Sequence, residues 1–212
     1  MGRLRKVATS QALNNIRYFI EEVLGYQLTG FHARWFLLQL QNRETLILAP
    51  RGHGKSTICT ICFSIWRIIH APDVRILIVS NTAAQAESFL REIRTQLTQN
   101  EALLSIFGSS LGPRWSQEEI IVSARRRIAK EATATAMGVG GPIISKHYDV
   151  IILDDIIDEE NARTEEQREK MRVWYYKSLL PCLEPYGEIH ILGTRYHPYD
   201  LYHELLTSCD AR

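Results

Sequence analysis

Apolar positions along the chain keep two rhythms. Residues 11–24 (QALNNIRYFIEEVL) set Leu13, Ile16, Ile20, Val23 and Leu24 at helical spacing, and residues 30–41 (GFHARWFLLQLQ) form a second helix with one apolar face. After these come short unbroken runs: TLILA at 45–49, RILIVS at 75–80, HYDVIILDD at 147–155 and EIHILGT at 188–194. Such β-branched runs, without polar alternation, are the signature of strands covered on both faces of a parallel sheet. Helical segments separate them. One opens at Lys55, runs to about Ile69 and stops before Ala71-Pro72; another spans about Thr82 to Thr98. A charged helix covers about 164–179, with Met171, Trp174, Tyr175 and Leu179 as its core stripe. The stretch GSSLGPRWS (108–116) carries turn chemistry, and EEIIVS pairs with AKEATATAM as a hairpin around Arg125 to Arg127. Strands alternating with helices predict an α/β fold: a parallel sheet flanked by helices, with an added β-hairpin.

Composition narrows the picture. A chain of 212 residues, 45% hydrophobic, suffices for one large domain with a small appendage. Lys plus Arg number 25 against 24 Asp plus Glu, a net charge of +1, which offers no broad footprint for static binding of nucleic acid. Cys59, Cys62, Cys182 and Cys209 include a C-x-x-C. Cys59 and Cys62 lie among Ile58, Ile61 and Phe63 on a helix, with neither a second C-x-x-C nor a C-x-x-H, and read as buried thiols of a reducing compartment. The basic start, Met1 to Lys6, leads into polar residues, and no apolar run approaches ~18 residues, so the chain is expected to be soluble and cytoplasmic.

The chemistry concentrates where the run at 45–49 meets the helix opening at Lys55. Ala49-Pro50-Arg51-Gly52-His53-Gly54-Lys55-Ser56 matches the phosphate-loop pattern G-x-x-x-x-G-K-[ST] except that Ala49 stands at its first position. At the end of a strand that residue needs only ordinary β dihedrals, so alanine is tolerated. Backbone N–H groups and the helix dipole stabilise an anion there. Lys55 then reaches the β and γ phosphates of a bound nucleotide, and Ser56, rather than Thr57, ligates Mg2+. Arg51 lies on the γ phosphate or pairs with a surface carboxylate; His53 is an exposed loop residue. In VIILDD (150–155), Asp154 serves the metal and Asp155 polarises water, unless the two cap a helix. Glu159 and Glu160 are alternative bases.

The order of motifs adds a resemblance. APRGHGKS, KEATATAMGVGG, HYDVIILDDIIDEENA and ILGTRYHPYDLYHEL together resemble the ATPase domain of the large terminase subunit of tailed bacteriophages, over about residues 28–206. The resemblance implies a RecA-like P-loop NTPase fold at 28–212 behind a helical appendage at 1–27. It implies an ATP-driven motor that moves double-stranded DNA into a capsid, with the portal protein and small terminase subunit as partners. A homo-oligomeric ring would form in the host cytoplasm at the procapsid portal vertex. By the same resemblance Asp154 and Asp155 are the Walker B acids and Thr194 the coupling residue that senses the γ phosphate. Phe31, His32 and Trp35 fall at the adenine-contacting segment, with His32 where glutamine is common; Phe31 and Trp35 equally read as core aromatics. The family's C-terminal nuclease domain is expected to be absent from a chain ending at Arg212. Arg125 to Arg127, at the hairpin tip, are an arginine finger, a phosphate contact or a solvated turn. The rival functions are a helicase-like DNA-translocating ATPase, a small-molecule kinase and a nucleotide-binding assembly module without turnover.

Overall fold

The computed structural model describes residues 2–143 and 145–209. Met1 and Arg212 lie outside them, as does the side chain of Cys209. The strands are β1 (Glu44–Leu48), β2 (Ile76–Ser80), β3 (Leu111–Trp115), β4 (Glu119–Val122), β5 (Ala134–Gly138), β6 (Tyr148–Asp154) and β7 (Leu183–Gly193). They form one sheet in the order β1-β7-β6-β2-β5-β4-β3. The five strands from β1 to β5 in that order run parallel; β4 and β3 add on antiparallel. The strand carrying the phosphate loop and the strand ending in Asp154 are thus separated by β7, which ends beside Thr194.

The expected parallel sheet follows from its strand sequences. In β2, Ile76 and Ile78 belong to one core and Leu77 and Val79 to another; in β6, Val150 and Ile152 are set against Ile151 and Leu153 in the same way. Successive side chains of a strand point to opposite faces, so an unbroken apolar run feeds two cores at once. The first core is closed by helices α1 (Gly2–Asn14), α2 (Gly30–Gln41), α3 (Phe63–His70), α4 (Ala83–Gln99) and α5 (Glu101–Phe107). The second lies under α6 (Glu159–Arg163), α7 (Glu165–Val173) and α8 (Leu201–Cys209). Ala12, Phe19, Ile20, Val23 and Leu24, from the segment read as an appendage, are buried in the first core. Wide, π-type turns at Ser56–Cys62 and Trp174–Leu179 make the α3 helix begin at the phosphate loop and prolong α7. No described helix is long and apolar enough to cross a membrane.

Two local expectations change. The expected hairpin pairs as foreseen, Ile120 opposite Ala134, but its second strand begins only at Ala134 and bonds β2 on its other side. It is therefore a widening of the main sheet, and residues 123–133 are a long connection rather than a tight tip. The presumed turn at 108–116 contains β3, the edge strand. Pro113 is tolerated there because an edge strand leaves one side of its backbone unbonded. Gly112 is required, since a Cβ would collide with the Ile121 carbonyl.

Candidate functional site

All parallel strands end on one edge, and the crevice at their carboxyl ends is where open α/β sheets bind ligands. A cleft of about 660 Å³ opens there, lined by Arg51, Gly52, Gly54, Lys55, Ser56 and Thr57 of the loop, together with Ser80, Asn81, Asp154, Asp155, Asp158 and Tyr196. Gly52 and Gly54 take positive φ angles of 79° and 70°, which the curl of the loop demands and side-chain-bearing residues rarely adopt. Ala49, buried at the end of β1, keeps its N–H in the ladder with the Gly193 carbonyl at 3.0 Å, so the first loop position is strand backbone. Pro50 and His53 are exposed on the loop.

Lys55 is the centre of the arrangement. It is only 5% exposed, and its ammonium lies 2.9 Å from Asp155 Oδ2 and donates to Thr194 Oγ1 at 3.2 Å. Thr194 in turn donates to the Ala49 carbonyl at 3.1 Å, closing a ring from β7 to β1. Asp154, fully buried, accepts from Ser56 Oγ at 3.0 Å and from Thr60 Oγ1 at 2.6 Å. Ser56 and Thr60 are one helical turn apart, and Ser80 Oγ holds the Asp154 carbonyl from β2 at 2.7 Å. Burial pushes the Asp154 carboxyl up to about 6; the two hydroxyls pull it down, the neighbouring Asp155 raises it further and Lys55 lowers it. Asp155 stands just past the strand with φ of 48°, a left-handed conformation in which Asp is among the few tolerated residues, and its Oδ1 is buried without a hydrogen-bond partner among the described residues.

These features fit a divalent cation. The donor set is hydroxyl and carboxylate oxygen, the ligands of a hard ion such as Mg2+, and it contains a buried carboxylate whose charge is under-neutralised and an orphaned carboxylate oxygen. Ser56 and Asp154 would hold the ion. Bound beside phosphates it would supply positive charge to their oxygens. Cys59 and Cys62 take no part in such a set: both are buried on the helix and burial pushes their thiols up.

Of the residues expected at the site, the structure brings Arg51, Gly52, Gly54, Lys55, Ser56, Thr57, Asp154 and Asp155 to one cleft, with Thr194 in contact with Lys55. Arg51 pairs with no carboxylate among the described residues. Its guanidinium donates to the Tyr196 hydroxyl and lies 5.5 Å from the centre of that ring. Glu159 and Glu160 are exposed at the start of α6 and do not line this cleft; Asp158 does, held by Asn81 Nδ2 at 2.5 Å. Phe31 and Trp35 stand outside the lining, grouped with His32 beside the His53 apex of the loop. Arg125 to Arg127 lie at the opposite, amino edge. There the N–H groups of Arg126 and Arg127 both bond Asp73, just before β2, and Arg127 Nη1 lies 3.6 Å from Asp149 near the start of β6. Sequence reasoning passed over Thr60, Ser80, Asn81, Asp158 and Tyr196. Only Thr60, four residues after Ser56, carried a signal.

A strand, a glycine loop with Lys-Ser, an acid-tipped strand and a third strand between them followed by threonine define a P-loop nucleoside triphosphatase. The sequence is 30% identical over 169 residues to the terminase large subunit of Enterobacteria phage T3, a match covering 77% of this chain and 28% of that protein. In structure the chain is similar to the large terminase ATPase domain of Thermus phage P74-26, with a TM-score of 0.53 and 19% identity over 87% of this chain and 71% of that one. No family model matches. The chain is thus related in sequence to the phage large terminases and shares the fold of their ATPase domain. It spans little more than a quarter of the length of its curated relative.

Proposed function

We propose that this chain is an ATP-hydrolysing motor domain that drives double-stranded viral DNA, acting with a portal protein and a small terminase subunit. The observation that carries the reading is Lys55, buried between the Asp155 carboxylate and the Thr194 hydroxyl with the Ser56–Asp154 pair beside it. The loop N–H groups and Lys55 bind the β and γ phosphates, and Lys55 leaves Asp155 as it does so. The freed Asp155 carboxylate orients water and accepts its proton, and Thr194, bonded to both Lys55 and the loop, changes partners when the γ phosphate departs. Loss of that phosphate therefore reaches β7 and α8 through one hydroxyl.

The test is phosphate release from ATP with magnesium, for wild type, Lys55→Ala and Asp155→Ala, each with and without double-stranded DNA. Turnover in the wild type that rises with DNA and is lost in both variants is the expected result. Equal rates in all three proteins would end the motor reading, and binding without turnover would turn it into an assembly module.

A further inference from the structure

His32 occupies the first turn of α2, yet both its ring nitrogens are engaged. Nδ1 accepts the Thr29 N–H at 3.3 Å, so the neutral ring carries its proton on Nε2, and Nε2 lies 2.8 Å from the His53 carbonyl oxygen. In a trans peptide the C=O of one residue and the N–H of the next point to opposite sides. Holding the His53 carbonyl toward α2 therefore aims the Gly54 N–H the other way, and Gly54, unlike His32, lines the cleft. Gly54 takes a φ of 70°, which favours glycine, and a Cβ there would stand 3.0 Å from His32 Nε2, close enough to press on the imidazole.

The platform behind the imidazole is firm. Gln39, two turns along the same face of α2, donates to the Cys59 carbonyl at 3.0 Å, and the fully buried Phe36 meets Phe63 and Trp66 edge-on at 5.6 and 5.7 Å. The Phe31 and Trp35 rings flank His32 at 4.3 and 5.6 Å. Helix α2 is thus tied to the loop at its first turn and to the helix after the loop further along.

We propose that His32 is a positioning residue for phosphate, which acts through the His53–Gly54 peptide and reads no base. This rests on the reading of the loop as a triphosphate site. The test is calorimetric titration with the magnesium complexes of ATP, GTP and inorganic tripolyphosphate, using wild type, His32→Ala and His32→Gln. His32→Ala weakens all three ligands by a similar factor of about fivefold, the worth of one neutral hydrogen bond. His32→Gln recovers most of the loss, because an amide offers an acceptor to Thr29 and a donor to His53. Three results would overturn the proposal: a loss confined to ATP; binding by His32→Ala equal to wild type; or a His32→Gln protein that melts like wild type and still binds as weakly as His32→Ala. A wild type that binds neither tripolyphosphate nor ATP would remove the triphosphate reading itself, and this proposal with it.

Discussion

Arg75 and Asp154, buried at opposite edges of the sheet, are treated in opposite ways. At the amino edge Arg75, 4% exposed, is met by acids: its guanidinium bonds Asp149 at 2.7 and 3.0 Å and Glu184 at 2.6 Å, and its Nη1 lies 3.9 Å from the buried Glu131. Hydrogen bonds donated to Asp149 hold the Arg75 guanidinium above its ordinary range, and burial opposes them; burial raises Asp149, but the bonds it accepts from Arg75 outweigh that and hold it low. At the carboxyl edge burial wins and Asp154 rises to about 6, while the next carboxylate has an oxygen with no partner. The Arg75 cluster meets its central charge with acids, although the nearby Arg125 guanidinium keeps two buried nitrogens without a hydrogen-bond partner among the described residues. A site for a cation and phosphates keeps charge unsatisfied until they arrive.

Breaking the carboxyl edge has the largest expected effect. Lys55→Ala removes the one ammonium placed to meet phosphate, and turnover should fall by about 10²–10³-fold or more. Steady-state phosphate release, with folding checked by circular dichroism, measures it. A fall under tenfold would mean that Lys55 serves mainly as a partner for Asp155.

The mirror experiment at the amino edge should cost stability and spare chemistry. Arg75→Met removes the buried cation shared by Asp149, Glu184 and the buried Glu131, a loss of about 3–5 kcal/mol. Denaturant unfolding reads the loss, and turnover per folded molecule should stay at the wild-type level. Reduced turnover in fully folded protein would show that the two edges are coupled.

Asp154→Asn separates the edges by pH. A carboxyl raised from its ordinary 3.8 to about 6 by folding adds stability that is full below 3.8 and is lost as pH rises through about 6, nominally about 3 kcal/mol. The difference in unfolding free energy between wild type and variant should therefore fall across that window and level off above it. Asp149 and Glu188, held low in the folded protein, contribute with the opposite sign and cancel in the difference. Above pH 6 magnesium should stabilise wild type and not the variant, and a flat difference curve would refute the assignment.

The parallel strands β1, β2, β6 and β7 were legible because their apolar runs leave no polar alternation to confuse, and the loop because its backbone demands glycine next to Lys-Ser; β5, built of small residues, was read only as a hairpin arm. β3 was hidden: its Gly112 and Pro113 mimic a turn, and only the position at an edge, which no local pattern encodes, makes them a strand. At the site the residues placed to meet phosphate or metal had motifs, whereas their supports did not. Ser80, Asn81 and Tyr196 reach the cleft from β2 and from the segment after β7, which the chain brings together only in three dimensions. His32 looked like a departure from a glutamine and proves to bond both the start of its helix and the loop apex.

The smallest effect falls where sequence proximity misled most. Glu159 follows the paired acids within one turn, but it is exposed on α6, while Asp158, one residue earlier, faces the cleft between Asn81 and the Asn161 N–H. Glu159→Gln should leave turnover within about twofold, since an exposed charge away from the cleft is screened by water. Asp158→Asn keeps a good helix cap while removing the charge, so a larger fall in turnover there than in Glu159→Gln reports the field at the cleft and not the integrity of α6. Measured at saturating ATP, equal effects of the two substitutions would mean that the unsatisfied charge of this edge extends beyond the cleft onto the helix.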